Sequence, residues 1–452
     1  MSRHSATSAS AAQDSALVAR SLSRHLAAFL APVLRTLDQQ LDRRLVSTFL
    51  VTMIAIVQWR NRAHGLLLSE LGAYILTPEQ APAGTKRLSN LLRSPRWKAK
   101  LLADWLWQQA DARFQALRAS GEEALLVWDG SVLEKPETIK NDHLCAVRSS
   151  KARRLKRIRP SFFTPPGGRP ICVPGLHWLG LLVLGRAGAP TVAAMQWWTK
   201  RGERASDQQT QLQQLLTRSV DAWGRDVRHI WDREFASGPW LRLMLDANIR
   251  FVLRWKKRQK LLDSWGEARK AWEITRGKRS WEYRHLRDTH TGERHKVGLV
   301  AVCVTHPEHA QPLWLVVARP GRHYEPWYLL TSDPIRTADD AWAVVFAYGR
   351  RWQIECAWRY SKSELAMESP RVWTWERREK LLLMVTLVYA FLLSLLASTW
   401  EELRSWLLRA WCHRTGKRSR EVAAPLYRLR SALARLWQAY LPSPGTLRLN
   451  SG

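Results

Sequence analysis

The chain has 452 residues, 46% of them hydrophobic, and a formal net charge of +32. That length supports a large buried core and two to four structural units. The charge points to a polyanionic partner, nucleic acid or an anionic membrane, unless it reflects only an arginine-rich genome. Five scattered cysteines (Cys145, Cys172, Cys303, Cys356, Cys412) without a C-x-x-C pair exclude a disulfide framework and a zinc ribbon. His143 and Cys145 alone make only half a ligand set.

The head, Met1 to Asp14, is rich in Ser and Ala, reads as disordered, and lacks the apolar segment of a secretory signal. From Ala16 to about Trp107 the pattern is helical. Ser69 to Leu76 forms one short helix, followed by a turn rich in Pro and Gly. Thr85 stands at an N-cap position before a second helix that Pro95 closes. Leu88, Leu91 and Leu92 share the back of that helix, whereas Lys86, Arg87, Asn90 and Arg93 lie in front. Such a front suits groove or phosphate contact, and an ordinary surface helix would look the same.

From Glu123 the texture changes. Ala124 to Trp128 is a short apolar run that ends at Asp129-Gly130-Ser131, as a buried strand carrying an acid to its end would. A basic stretch with Pro and Gly follows, from Arg148 to Pro170. Strand-like runs come next at His177 to Gly185 and Thr191 to Trp198, and a Gln-rich helix at Ser206 to Trp223. A strand at Asp226 to Trp231 leads into Asp232, and another lies at Arg250 to Leu253. Gly266 to Pro334 alternates as an inserted β-rich unit. Helical periodicity then runs from Ala338 to about Trp411, and a basic end stays helical as far as Pro442. Leu381 to Trp400 carries no charge and is long enough to cross a bilayer, but its Thr, Ser and Tyr residues favour a helix buried in a core.

Asp129 and Asp232 each follow a short buried strand. Taken singly, either could be an ordinary capping Asp. Tyr348, Arg351, Glu355 and Lys362 fall at offsets that line one face of a helix. An acid set among cations there is a surface for metal and phosphate, or else a run of ion pairs such as Arg351–Glu355 and Glu355–Arg359.

The pattern Y-x2-R-x3-E-x6-K resembles the signature of a class of bacterial insertion-sequence transposases of the DDE superfamily, and Asp232-Arg233-Glu234-Phe235 resembles that class's second-acid motif. The resemblance covers about Glu123 to Trp400. It implies an α/β fold: an RNase H-like catalytic core with a β-rich insertion, preceded by an all-α DNA-binding region and followed by a basic helical tail. The corresponding division is 1–118, a core of 119–256 and 338–411, an insertion at 257–337, and a tail at 412–452. Asp129, Asp232 and Glu355 would be the catalytic acids and hold Mg²⁺, with Mn²⁺ as the alternative. Tyr348, Arg351, Arg359 and Lys362 would hold DNA near the cut, and Lys86, Arg87, Asn90 and Arg93 would contact it elsewhere. In related enzymes a Trp of the insertion stacks on a flipped base, and Trp265, Trp272, Trp281, Trp314 and Trp327 are in the right region.

The expected function is metal-dependent cleavage at transposon ends and strand transfer into target DNA, by a homodimer assembled on terminal inverted repeats. It would take place in the cytoplasm at the nucleoid, without a membrane. A domesticated, non-cutting DNA-binding protein and an RNase H-like nuclease of another pathway are the rivals; a membrane-anchored basic protein is the more distant one.

Overall fold

The computed structural model describes residues 3–59, 65–135, 141, 143–152, 170–287, 293–321, 324–412 and 426–440. Strand β1 (Leu125–Glu134) opens with five buried residues, since Leu125 to Trp128 have no polar side chain to send to water. It pairs antiparallel with β3 (Cys172–Leu184), which also pairs antiparallel with β2 (Cys145–Arg148) and β4 (Thr191–Trp198). On its other side β1 runs parallel to β5 (Arg228–Trp231), and β5 runs parallel to β6 (Arg250–Arg254). Helix α6 (Gln208–Trp223) supplies the crossover into β5, with Asp207 capping its first turn at Thr210 N.

The sheet does not stop at β6. A β-rich segment comprises β7 (Lys260–Leu262), β8 (Ala268–Lys270), β9 (Glu282–Arg287), β10 (Arg294–His306), β11 (His309–Arg319) and β12 (Trp327–Thr331). It returns to the core by pairing β12 antiparallel with β6. One mixed twelve-stranded sheet results, with the order β2-β3-β1-β5-β6-β12-β11-β10-β7-β8; β4 lies beside β3 and β9 beside β10. Short helices α7 (Gly238–Asp246) and α8 (Ala271–Thr275) fill the connections.

Five helices precede the sheet: α1 (Arg3–Gln40), α2 (Arg43–Trp59), α3 (Leu68–Ile75), α4 (Ala81–Arg93) and α5 (Lys100–Ala119). Two sequence expectations change here. The head is helical from Arg3, because Ser and Ala without Gly or Pro do nothing to break a helix. Helix α4 starts at Ala81 rather than after Thr85. Pro82 is tolerated in its first turn, and Gly84 lies against the backbone of Gly72 on α3. A Cβ at either glycine would collide with the opposite helix, and Thr85 Oγ1 donates to Ala81 O at 2.8 Å inside the helix.

After the sheet, the expected single helical run is broken into α9 (Ala338–Gly349), α10 (Trp352–Arg359), a π turn (Tyr360–Glu364), α11 (Trp375–Ser394) and α12 (Glu401–Trp411). Helix α13 (Leu426–Tyr440) follows. The uncharged run from Leu381 is a core helix: Leu381 to Tyr389 are all buried, among the same hydrophobic cluster as α1, α2, α4 and α13. Gln13–Gln40 is also long and apolar enough to cross a membrane, with 28% of that window buried. Most of the basic stretch from Arg148 to Pro170, and residues 413–425 and 441–452 of the tail, lie outside the described residues.

Lys380, buried on α11, donates to Leu92 O at 3.1 Å and to Ser94 O at 2.8 Å while its ammonium lies over the Trp97 ring. It therefore satisfies the orphan carbonyls at the end of α4. Burial, with Lys98 adding to it, pushes its pKa down to about 8.

Candidate active site

Asp129 is 7% exposed and sits opposite Gly180 in the β1–β3 register. The glycine is required there: a Cβ would run into the Trp358 ring, which lies across this spot from α10. Trp358 Nε1 can therefore donate to Asp129 Oδ2 at 2.9 Å, while Gly130 N donates to Oδ1, also at 2.9 Å. Burial pushes the Asp129 carboxyl up to about 7; Arg351 and the Trp358 bond oppose the shift, and Asp232 and Glu234 add to it. The protein's own groups thus leave the Asp129 charge undercompensated.

Asp232 follows β5 directly and leads into a 3₁₀ turn, Arg233–Phe235. Its Oδ1 accepts from Tyr348 Oη at 3.3 Å, and Arg351 Nη1 stands 3.9 Å from its Oδ2. Arg351 also donates through Nη2 to Glu355 Oε1. Burial works against the Arg351 charge, but Tyr348, Asp232 and Glu355 outweigh it and hold the guanidinium more basic than usual. Burial likewise pushes the Tyr348 hydroxyl up to about 12, so it remains a donor. Among the described residues Arg351 thus reaches all three acids, by contact with two and through space with the third. Its Nε and Nη1 have no hydrogen-bond partner.

The structure brings together residues that the sequence placed on one regular helix, but by another route. A break at Arg350 and the π turn at Tyr360–Glu364 take Lys362 off the α-helical spacing. It still arrives, because its Nζ donates to Ser131 Oγ at 2.8 Å, two residues beyond Asp129 on β1. Burial lowers the Lys362 pKa, with Glu368, Glu134 and Asp129 opposing. Arg359 does not join the acids; it is exposed and lies over the Trp352 ring at 5.3 Å. Lys86, Arg87, Asn90 and Arg93 are all exposed on α4, over the buried Leu88, Leu91 and Leu92.

Trp358 and Gly180 were not singled out in the sequence. Their only signal was a glycine inside the apolar strand of Trp178 to Leu184, and it means nothing until β3 is laid beside β1. Of the insertion's tryptophans, Trp327 packs edge-on against Tyr348 at 5.2 Å, and Trp265 is 85% exposed in the β7–β8 turn. Cys145 points into the sheet, its Sγ 3.6 Å from Gly175 O, and forms no metal-ligand group with His143.

Residues 201–391 match the family model of the transposase DDE domain. The chain carries a transposase DDE domain. The match includes Asp232, Tyr348, Arg351, Glu355 and Lys362; Asp129 precedes it. DNA strand cleavage and strand transfer are the reactions of this domain, with divalent metal ions as cofactor. The solved structure of a piggyBac transposase synaptic complex with hairpin DNA superposes with a TM-score of 0.41 and 11% identity, over 88% of this chain and 72% of that one, too loosely to add to the argument. No curated protein sequence matches the chain.

Proposed function

We propose that this is an insertion-sequence transposase with an RNase H-like core, and that Asp129, Asp232 and Glu355 are its catalytic acids. The observation that carries this is the convergence of the three, from β1, the end of β5 and α10, on the single guanidinium of Arg351. The sheet supports the fold assignment: β4-β3-β1-β5-β6 is three antiparallel strands followed by two parallel to the first.

A divalent ion fits this donor set. Three carboxylates on separate elements surround a cation, and the most buried of them is short of positive charge. Arg351 stands among the three acids, which do not approach one another within 4.8 Å as a set. Mg²⁺, or Mn²⁺ in its place, would lower the pKa of an attacking water or 3′-hydroxyl and stabilise the leaving oxygen. The chain's own residues do the rest. Trp358 fixes the Asp129 carboxylate through Oδ2, leaving Oδ1 turned toward the Gly130 amide. Tyr348 orients Asp232. Arg351 and Lys362 are placed to exchange carboxylate and hydroxyl partners for DNA phosphates, with Arg359 as a further contact at the rim.

The exposed row Lys86, Arg87, Asn90 and Arg93 on α4 is assigned to DNA outside the cut, within an N-terminal region of 1–118. The sheet and α9–α12 form the core of 119–256 and 338–411, with 257–337 as the insertion and 412–452 as the tail. The enzyme would act at the nucleoid as a homodimer on paired terminal inverted repeats. The test is cleavage of a DNA fragment carrying the sequences that flank the reading frame. We expect nicking at the ends with Mg²⁺ and none in EDTA, since an all-carboxylate set favours Mg²⁺ and only a metal ion would activate the attacking oxygen. Cleavage that survives EDTA overturns the assignment.

A further inference from the structure

A second donor set, sharing no residue with the acids, lies at the tip of the β10–β11 hairpin. His306, Glu308 and His309 place one ligand atom each within 4.8 Å of one another, and among the described residues no other His, Cys, Asp or Glu group does so. The two imidazoles stack at 5.0 Å and 25°, and Trp255 closes one side of His306, edge-on at 5.7 Å. His306 is 8% exposed and His309 half-buried, so one imidazole is set into the protein and the other lies at its edge.

The orientation of His309 favours coordination. Its Nε2 lies 3.2 Å from Gly238 O, and a carbonyl can only accept, so Nε2 carries the proton and Nδ1 keeps its lone pair. A ligand imidazole commonly donates its other N–H to a backbone carbonyl in this way. At His306 the Nδ1 lone pair accepts from Glu308 N at 3.2 Å, a long bond that an ion could replace. Gly238 opens α7 directly beneath the cluster. A Cβ there would lie 2.5 Å from Glu308 Oε2 and 3.4 Å from His306 Cε1, so the absence of a side chain is what leaves room for the carboxylate.

We infer that His306, Glu308 and His309 bind a zinc-type divalent ion that ties the β10–β11 tip to the start of α7. Two imidazoles and one carboxylate are a zinc set with one position left for water, and they differ in kind from the all-oxygen set of the catalytic acids. Helix α7 begins just after the turn that holds Asp232, so the ion would brace that turn against the inserted strands.

The experiment uses the full chain with Asp129→Asn, Asp232→Asn and Glu355→Gln combined, so that the catalytic acids take no ion. Calorimetric titration with ZnCl₂ should show one Zn²⁺ per chain. His309→Ala should abolish that binding step, and Glu308→Gln, at an exposed position that cannot threaten the fold, should weaken it by at least ~10-fold, as even an outer-sphere change at a zinc site does. Absence of a Zn²⁺ step in the parent overturns the inference, as does unchanged affinity in Glu308→Gln. Because the readout is zinc binding and not DNA cleavage, failure here leaves the transposase reading untouched.

Discussion

The two ends of the parallel strands hold charge in opposite ways. At the starting end, Arg228 donates from Nε to Asp333 Oδ2 at 2.8 Å and from Nη1 to Glu123 Oε2 at 3.0 Å. Arg250 joins them, with Nε 2.6 Å from Asp333 Oδ1 and Nη2 3.5 Å from Glu123 Oε1. Both carboxylates are shared between these two cations, and Arg186 Nη2 stands 3.7 Å from Glu123 Oε2 as a third. At the finishing end, three acids meet Arg351, whose Nε and Nη1 make no hydrogen bond, and burial pushes the Asp129 carboxyl up to about 7. A cluster in which every acid is paired with cations is architecture. A set left short of positive charge is ready for a ligand that supplies it.

Substitutions at the two ends should therefore fail differently. The largest effect is expected at the finishing end. Asp232→Asn or Glu355→Gln should cut the rate of end cleavage by at least about a thousandfold, the loss of several kcal/mol of transition-state charge stabilisation, with an unchanged melting curve. Near-normal cleavage in either variant would remove that residue from the site. At the starting end, Arg228→Leu leaves the buried Asp333 underpaired, which should cost about 3–5 kcal/mol of stability in a urea titration. A change under ~1 kcal/mol would mean the Arg228–Asp333 pair is not formed in solution.

Asp129→Asn sharpens the contrast further. The Asp129 carboxyl is raised from 3.8 to about 7, so its ionised form is the disfavoured one. Its contribution to stability is intact below about pH 4 and is lost as the pH rises through about 7. In EDTA, Asp129→Asn should gain on the parent across that window, by no more than ~4 kcal/mol at pH 8. Equal stabilities at pH 4 and pH 8 would contradict an uncompensated acid. The smallest effects concern the cations. Arg351→Ala and Lys362→Ala should each flatten the slope of log affinity against log salt for end DNA by roughly one unit, one phosphate contact apiece. If both slopes stay unchanged, these side chains serve the fold alone.

Among the strands around the acids, β1 and β6 were legible because each contains a short apolar run bounded by polar residues, and burial on both faces leaves that mark in sequence; β5, Arg-His-Ile-Trp, is half polar and stood out only by the acid that follows it. β9 was not: Glu-Tyr-Arg-His-Leu-Arg is mostly polar, and only pairing with β10 makes it a strand. β7 and β8, at three residues each, are too short to carry a period. The helix bearing Glu355 was legible as a stretch but not in its course, because a π turn leaves the apolar pattern nearly intact while rotating everything after it. The grouping of Tyr348, Arg351 and Glu355 was therefore readable. The reach of Lys362 to Ser131, and the Trp358 bond over Gly180, depend on which strands become neighbours.

The Lys380 ammonium that grips the end of α4 has a metrical consequence. It fastens α4 to α11, the next long helix after Glu355, and removes the hinge that would let a reading head swing on a tether. On the proposal that the front of α4 contacts DNA, the number of base pairs between the sequence it contacts and the bond that is cut becomes a constant of the protein, as on a caliper locked at one opening. A helical turn inserted between those two points in the DNA should leave the enzyme holding its site with nothing to cut.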